Sequence, residues 1–114
     1  MTDKIVVLTT AGSTEEARRI ADALVERRQA ACVNILKGVE SIYRWKGKTE
    51  ESQEWMLFIK TTAAAFDSVW KTIRELHSYE LPECISVPIA EGTAEYLKWI
   101  DESVGNNEDS KPKG

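Results

Sequence analysis

Two long apolar-patterned runs, Ala31 to Trp45 and Glu51 to Thr62, are joined by the short turn Lys46-Gly47-Lys48. In the first run Ala31, Val33, Ile35, Val39, Tyr43 and Trp45 share one parity, which predicts a strand with one apolar face. Lys37-Gly38 interrupts it and predicts a bulge on an edge strand. In the second run Trp55, Leu57 and Ile59 alternate with Met56 and Phe58, so both faces need cover. A strand over 31–45 reaches roughly 50 Å. A compact domain of this length has a radius of gyration near ~13 Å and is about 34 Å across. The hairpin therefore projects beyond its own domain. Carrying Tyr43, Trp45, Trp55, Met56 and Phe58, it would expose a large apolar patch. Another copy of the chain is the simplest cover.

The flanking segments complete the architecture. Ile5 to Thr10 is nearly all apolar and β-branched, a strand buried on both faces and so central. Ser13 with Glu16 predicts a capping box. Ala17, Ile20, Ala21, Leu24 and Val25 follow as one face of a helix of about fifteen residues. Arg27 and Arg28 suit its negative end. Thr61 or Thr62 is the expected cap of a second helix, in which Phe66, Val69, Trp70, Ile73 and His77 keep helical spacing. Cys84 to Ile89 is the last strand, and Pro88 puts it at a sheet edge. Gly92-Thr93 opens a third helix with Tyr96, Leu97 and Ile100 inward. The fold class is α+β: a ferredoxin-like β-α-β-β-α-β order with a C-terminal helix. Right-handed crossovers give the strand order fourth, first, third, second. Residues 1–104 form the one domain. The polar stretch 105–114 has nothing to bury and is expected to be a disordered tail.

Composition narrows the function. A net charge of −4 and a pI near 5.1 argue against a nucleic-acid partner. The third strand opens Glu51-Ser52-Gln53-Glu54, and Trp55 and Phe58 fall on opposite faces, unlike the paired aromatics of an RNA-recognition motif. No apolar run approaches the roughly 20 residues of a membrane span, and no signal-peptide pattern opens the chain; a cytoplasmic protein is expected. Cys32 and Cys84 belong to no CxxC pair and are expected to be reduced and buried. Without a nucleophile elbow, P-loop or GxGxxG, the residues point to no reaction, and the chain reads as no enzyme.

The chemistry available gathers in His77-Ser78-Tyr79-Glu80-Leu81-Pro82-Glu83, which holds the only histidine. Leu81 precedes a proline, so a helix must stop before it, leaving His77 at the helix end. The ordinary reading is a rigid turn. As a metal site, His77 with Glu80 or Glu83 supplies only two or three donors where three or four are needed. No cofactor is required, and copper or another divalent cation would bind weakly.

Several blocks carry a resemblance. Ala30-Ala31-Cys32-Val33-Asn34-Ile35, Ser41-Ile42-Tyr43-Arg44-Trp45-Lys46-Gly47, Leu57-Phe58-Ile59-Lys60-Thr61, the stretch from His77 to Glu83, Gly92-Thr93 and Tyr96-Leu97-Lys98-Trp99 resemble the CutA divalent-cation tolerance family. The resemblance spans about residues 5 to 102. It implies a ferredoxin-like homotrimer, similar in architecture to PII-type signalling proteins, linked to tolerance of copper and other divalent metals. Where the family usually reads His-Pro-Tyr, this chain reads His77-Ser78-Tyr79. In such a trimer His77 and Glu80 are the expected metal donors. Tyr43, Trp45, Lys60, Tyr79 and Glu83 would line a cleft for a small polar ligand, and Trp55, Met56 and Phe58 would meet the neighbouring subunit. Two other readings stand beside metal tolerance. One is a PII-like regulatory adaptor binding a small ligand between subunits; the other is an assembly scaffold without ligand.

Overall fold

The computed structural model describes residues 2–105. The elements are β1 (Lys4–Ala11), α1 (Thr14–Glu26), β2 (Cys32–Trp45), β3 (Lys48–Thr62), α2 (Phe66–Leu76), β4 (Ile85–Pro88) and α3 (Ala94–Ser103). A single-turn 3₁₀ helix, Ala63–Ala65, leads into α2. The sheet order is β2-β3-β1-β4, as the crossover rule predicts. Every neighbouring pair is antiparallel. All but the first residue of the expected tail lies outside the described residues.

α1 and α2 cover one face of the sheet. Val7, Ile20, Leu24, Leu57, Ile59, Val69 and Ile73 meet there, fully buried. Ile100 of α3 is also fully buried but lies outside that cluster. Tyr96, expected inward, is exposed and lies tilted against Trp99 with ring centroids 5.3 Å apart. The inward stripe of α3 is narrow, and a large ring at its margin turns out.

Residues paired across antiparallel strands share a face, so register identifies the other side of the sheet. Leu8 pairs with Phe58 and with Ile85, Val6 pairs with Lys60 and with Val87, and Leu36 pairs with Met56. α3 covers only the end of this side near Lys4, whose ammonium meets Asp101, and Leu36, Ile85 and Val87 are among the exposed large apolar residues.

β2 and β3 form a continuous hairpin whose two-residue turn has positive φ at both Lys46 (50°) and Gly47 (82°). That is the turn whose twist matches paired strands. The molecule measures 50 × 28 × 22 Å, so the hairpin does elongate it. The bulge falls between Leu36 and Val39, as Lys37-Gly38 predicts. It also corrects the single-parity reading of β2. Val33 and Ile35 pair with Ile59 and Leu57, but Val39 and Tyr43 pair with Glu54 and Glu50. The extra residue in the bulge moves the odd-numbered side chains to the opposite face.

Three helix-end expectations change as well. Thr62 stands at the N-cap of the 3₁₀ turn but makes no side-chain cap bond, and the Thr61 hydroxyl donates instead to the Gln29 carbonyl at 2.7 Å. Arg28 does not serve its own helix: its guanidinium donates to the carbonyls of Glu102 and Gly105, at the end of α3. Arg27 turns to Glu75 and Thr72 on α2.

Candidate functional site

The end of β1, the start of α1 and the turn after α2 converge. Ser13 caps α1 by accepting the Glu16 N–H at 3.1 Å. The reciprocal half of the capping box is not made. The Glu16 carboxylate instead accepts the Ser78 N–H at 3.0 Å and the Ser78 hydroxyl at 2.7 Å, and its Oε2 lies 3.0 Å from His77 Nδ1. Glu16 shares the helical phase of Ile20 and Leu24, the buried stripe, and that phase was the legible signal for its burial.

His77 is fastened on both ring nitrogens. Its Nε2 is 2.5 Å from the Thr10 carbonyl, which can only accept, so Nε2 carries a proton. Its Nδ1 accepts the Tyr79 N–H at 3.1 Å or, when protonated, donates to Glu16. The side chain is 0% exposed. A metal donor needs a free nitrogen lone pair facing the ion, and His77 presents none. Glu80 is exposed and is not among the ring's partners. Among the described residues no group of three or more His, Cys, Asp or Glu side chains is placed to hold a metal ion. The side chains at this turn do not fit a resident metal.

From His77 the chain passes to Tyr79, whose ring lies 4.6 Å from the imidazole. The Tyr79 hydroxyl approaches Gly12 so closely that an added Cβ there would meet it at 3.1 Å. Tyr79 then donates to Glu54 Oε2 on β3 at 2.7 Å. Burial, then the bond to Glu54, raises the phenol well above its usual range, so it stays a donor. Glu83 is half-buried, and its carboxyl is raised by burial and next by Glu54. Burial and then Glu83 push the Cys84 thiol up to about 11. Tyr43 donates to or accepts from Ser52 Oγ at 2.7 Å and stands close enough to add to the Tyr79 shift.

Of the expected cleft, Tyr79 meets Glu54, with Glu83 and Tyr43 near enough to act electrostatically on this pair. Lys60 does not join them within one chain. It lies six residues along β3, roughly 20 Å away, where its ammonium donates to Asn34 Oδ1 opposite Cys32. Trp45 pairs with Lys48 at the hairpin tip, a similar distance away, with the Lys46 ammonium 5.6 Å above its ring. Met56 and Phe58 stand half-buried on the sheet face away from α1 and α2, whereas Trp55 packs against this chain's own core.

The model of the CutA1 divalent ion tolerance protein family matches residues 5–103. The divalent-cation tolerance protein CutA of Thermus thermophilus is 53% identical over 100 residues, covering 88% of this chain and 97% of that protein. A solved structure of the divalent cation tolerance protein from the same organism superposes with a TM-score of 0.88 at 52% identity, over 90% of this chain and 99% of that one. The chloroplastic CutA protein of Arabidopsis thaliana is 37% identical over 102 residues, 90% of this chain, which spans only 56% of that longer relative.

Proposed function

Because this chain belongs to the CutA1 divalent ion tolerance family, we propose that it serves divalent-cation tolerance as a non-enzymatic homotrimer that binds a small polar ligand. The observation that carries this is His77, whose two ring nitrogens are both occupied in a side chain closed to solvent. An imidazole so held organises the turn and leaves Tyr79, Glu83 and Glu54 as the groups that can meet a ligand. The trimer is supported by the apolar sheet face around Phe58 and Met56 and by the open edges of β2 and β4. In this reading copper binds weakly, at about micromolar affinity or poorer, through exposed groups. The protein is cytoplasmic in this reading, which the unpaired thiols of Cys32 and Cys84 support.

Native mass spectrometry of the untagged protein, with and without copper, tests the assembly. Calorimetric copper titration of wild type and His77→Gln at pH 7.5 tests the turn. The expected result is a trimer mass and weak copper binding that His77→Gln leaves unchanged. A monomer mass would end the trimer reading. Tight copper binding lost in His77→Gln would restore His77 as a metal donor.

A further inference from the structure

A cleft of about 460 Å³ opens where the ends of α1 and α3 meet the helical run that starts at Ala63. That volume lies in the range of small-ligand sites, roughly 300–1,000 Å³. Arg28, Gln29 and Thr62 line it and bring free donors. Arg28 stands at a left-handed position, φ 59°, where glycine is the usual residue, so its side chain is placed there at a backbone cost. Its guanidinium uses Nε and one amino group on the α3 carbonyls, and no carboxylate pairs with it among the described residues. The Thr72 hydroxyl accepts from Arg27, so its own proton goes to Gln29 Oε1 at 2.6 Å, and the Gln29 amide nitrogen has no partner among the described residues. Thr62 is only 8% exposed, yet its hydroxyl makes neither a cap bond nor any other hydrogen bond among the described residues. Burying a polar group without a partner is unfavourable, and this one borders the cleft. The cleft also holds the opposite charge. Asp3 and Asp101 line it and share one ammonium, that of Lys4. Two carboxylates against one ammonium leave net negative charge and free acceptor oxygens. Arg27, the other cation of the lining, is neutralised by Glu75.

We propose that this cleft binds a small zwitterion, a carboxylate and an ammonium on one molecule, the chemistry of a free amino acid. Its carboxylate is taken by Arg28, Gln29 and Thr62, and its ammonium by Asp3 and Asp101. Charge-assisted hydrogen bonds of both signs then form together. Ala65, which also lines the cleft as the N-cap of α2, makes no side-chain cap bond, so the partial positive charge of the helix start adds to the carboxylate's side. A simple anion would meet the arginine but also the surplus acid, and a simple cation would leave the three donors without an acceptor. The cleft is remote from the turn at His77. Asp3 precedes β1, whereas Thr10, which holds His77, is near its far end, roughly 20 Å along the strand. The assignment therefore goes beyond the function proposed above and does not depend on it.

L-alanine and γ-aminobutyrate, a short and a long spacing of the same two charges, are the probes, with butyrate and butylamine as their halves. Each is titrated into the isotope-labelled full-length protein in its native assembly. Nuclear magnetic resonance follows the Gln29 side-chain amide and the backbone amides of Ala64 and Ala65. The expected result is that a zwitterion shifts these signals saturably and binds about tenfold or more tightly than either half. Asp101→Asn should remove the advantage over butyrate, and Thr62→Val should weaken the zwitterion about tenfold. Circular dichroism confirms the fold of each variant. Should Thr62→Val not fold, Asp101→Asn, at an exposed side chain, decides alone. Butyrate binding as tightly as the zwitterions would make the cleft an anion site and overturn the proposal. So would the absence of a saturable shift with both zwitterions, or binding that the variants leave unaltered.

Discussion

His77 Nδ1 and Glu16 Oε2 stand 3.0 Å apart, tying the turn after the second helix to the first turn of the first. The same carboxylate takes both the N–H and the hydroxyl of Ser78. Three contacts on one buried acid make Glu16 the fastening of the whole turn. Beyond it, Tyr79 is fastened again at Glu54 and Cys84 packs against the core.

Glu16→Gln should therefore destabilise the fold by about 2–4 kcal/mol, the loss of buried charge-assisted contacts. Ser13→Ala, which removes only the ordinary helix cap, should cost about 1 kcal/mol. Urea denaturation followed by circular dichroism, with m compared between variants, separates the two. Equal losses would mean that Glu16 acts only through its helix and not through His77.

The architecture was legible because burial patterns at period two and near 3.6 survive in the sequence. Strand order, the bulge at Lys37-Gly38 and the edge position of Pro88 followed from them. The consequence of the bulge did not: parity is a reliable guide to faces only while the pairing is regular, and Tyr43 changes sides beyond Gly38. The site was half legible. His77, Tyr79 and Glu83 were found because they crowd one turn. Glu16 read as a capping residue and Glu54 as part of the polar opening of the third strand, since their partners are distant in sequence. Lys60 and Trp45 were grouped with the turn by residue type, and the register then placed both well away from it within the chain.

The sheet face away from α1 and α2 makes its own prediction. Phe58 is central in it, flanked in register by Leu8 and Asn34. Phe58→Ala should weaken the assembly by about 3 kcal/mol, more than a hundredfold in dissociation constant, while leaving the monomer fold intact. Light scattering across a dilution series reads this directly. An unchanged assembly would move the subunit contact off this face.

Cys84 should be a slow thiol. With its pKa pushed up to about 11 by burial and by Glu83, about one molecule in a thousand is thiolate at pH 8. Mass-mapped iodoacetamide labelling should proceed roughly a hundredfold more slowly at Cys84 in the folded protein than in the urea-denatured chain. Labelling at the denatured rate would show that the 82–84 segment opens to solvent.

The burial of Glu83 predicts the sign of a pH dependence. Burial first, and Glu54 second, hold the folded-state carboxyl of Glu83 above its ordinary value of 4.5. Over the window from that value up to the raised one, the folded chain binds more protons than the unfolded chain. Stability from this group is thus fully present below the ordinary value and lost as pH rises through the raised one. Partial exposure screens the effect, so it is a slope to be compared rather than a large loss. Glu83→Gln should flatten the fall of the urea midpoint as pH rises from the ordinary carboxylate range toward neutrality, and should leave the variant more stable than wild type at the upper end. A wild-type slope that Glu83→Gln leaves unaltered would take Glu83 out of this pH dependence.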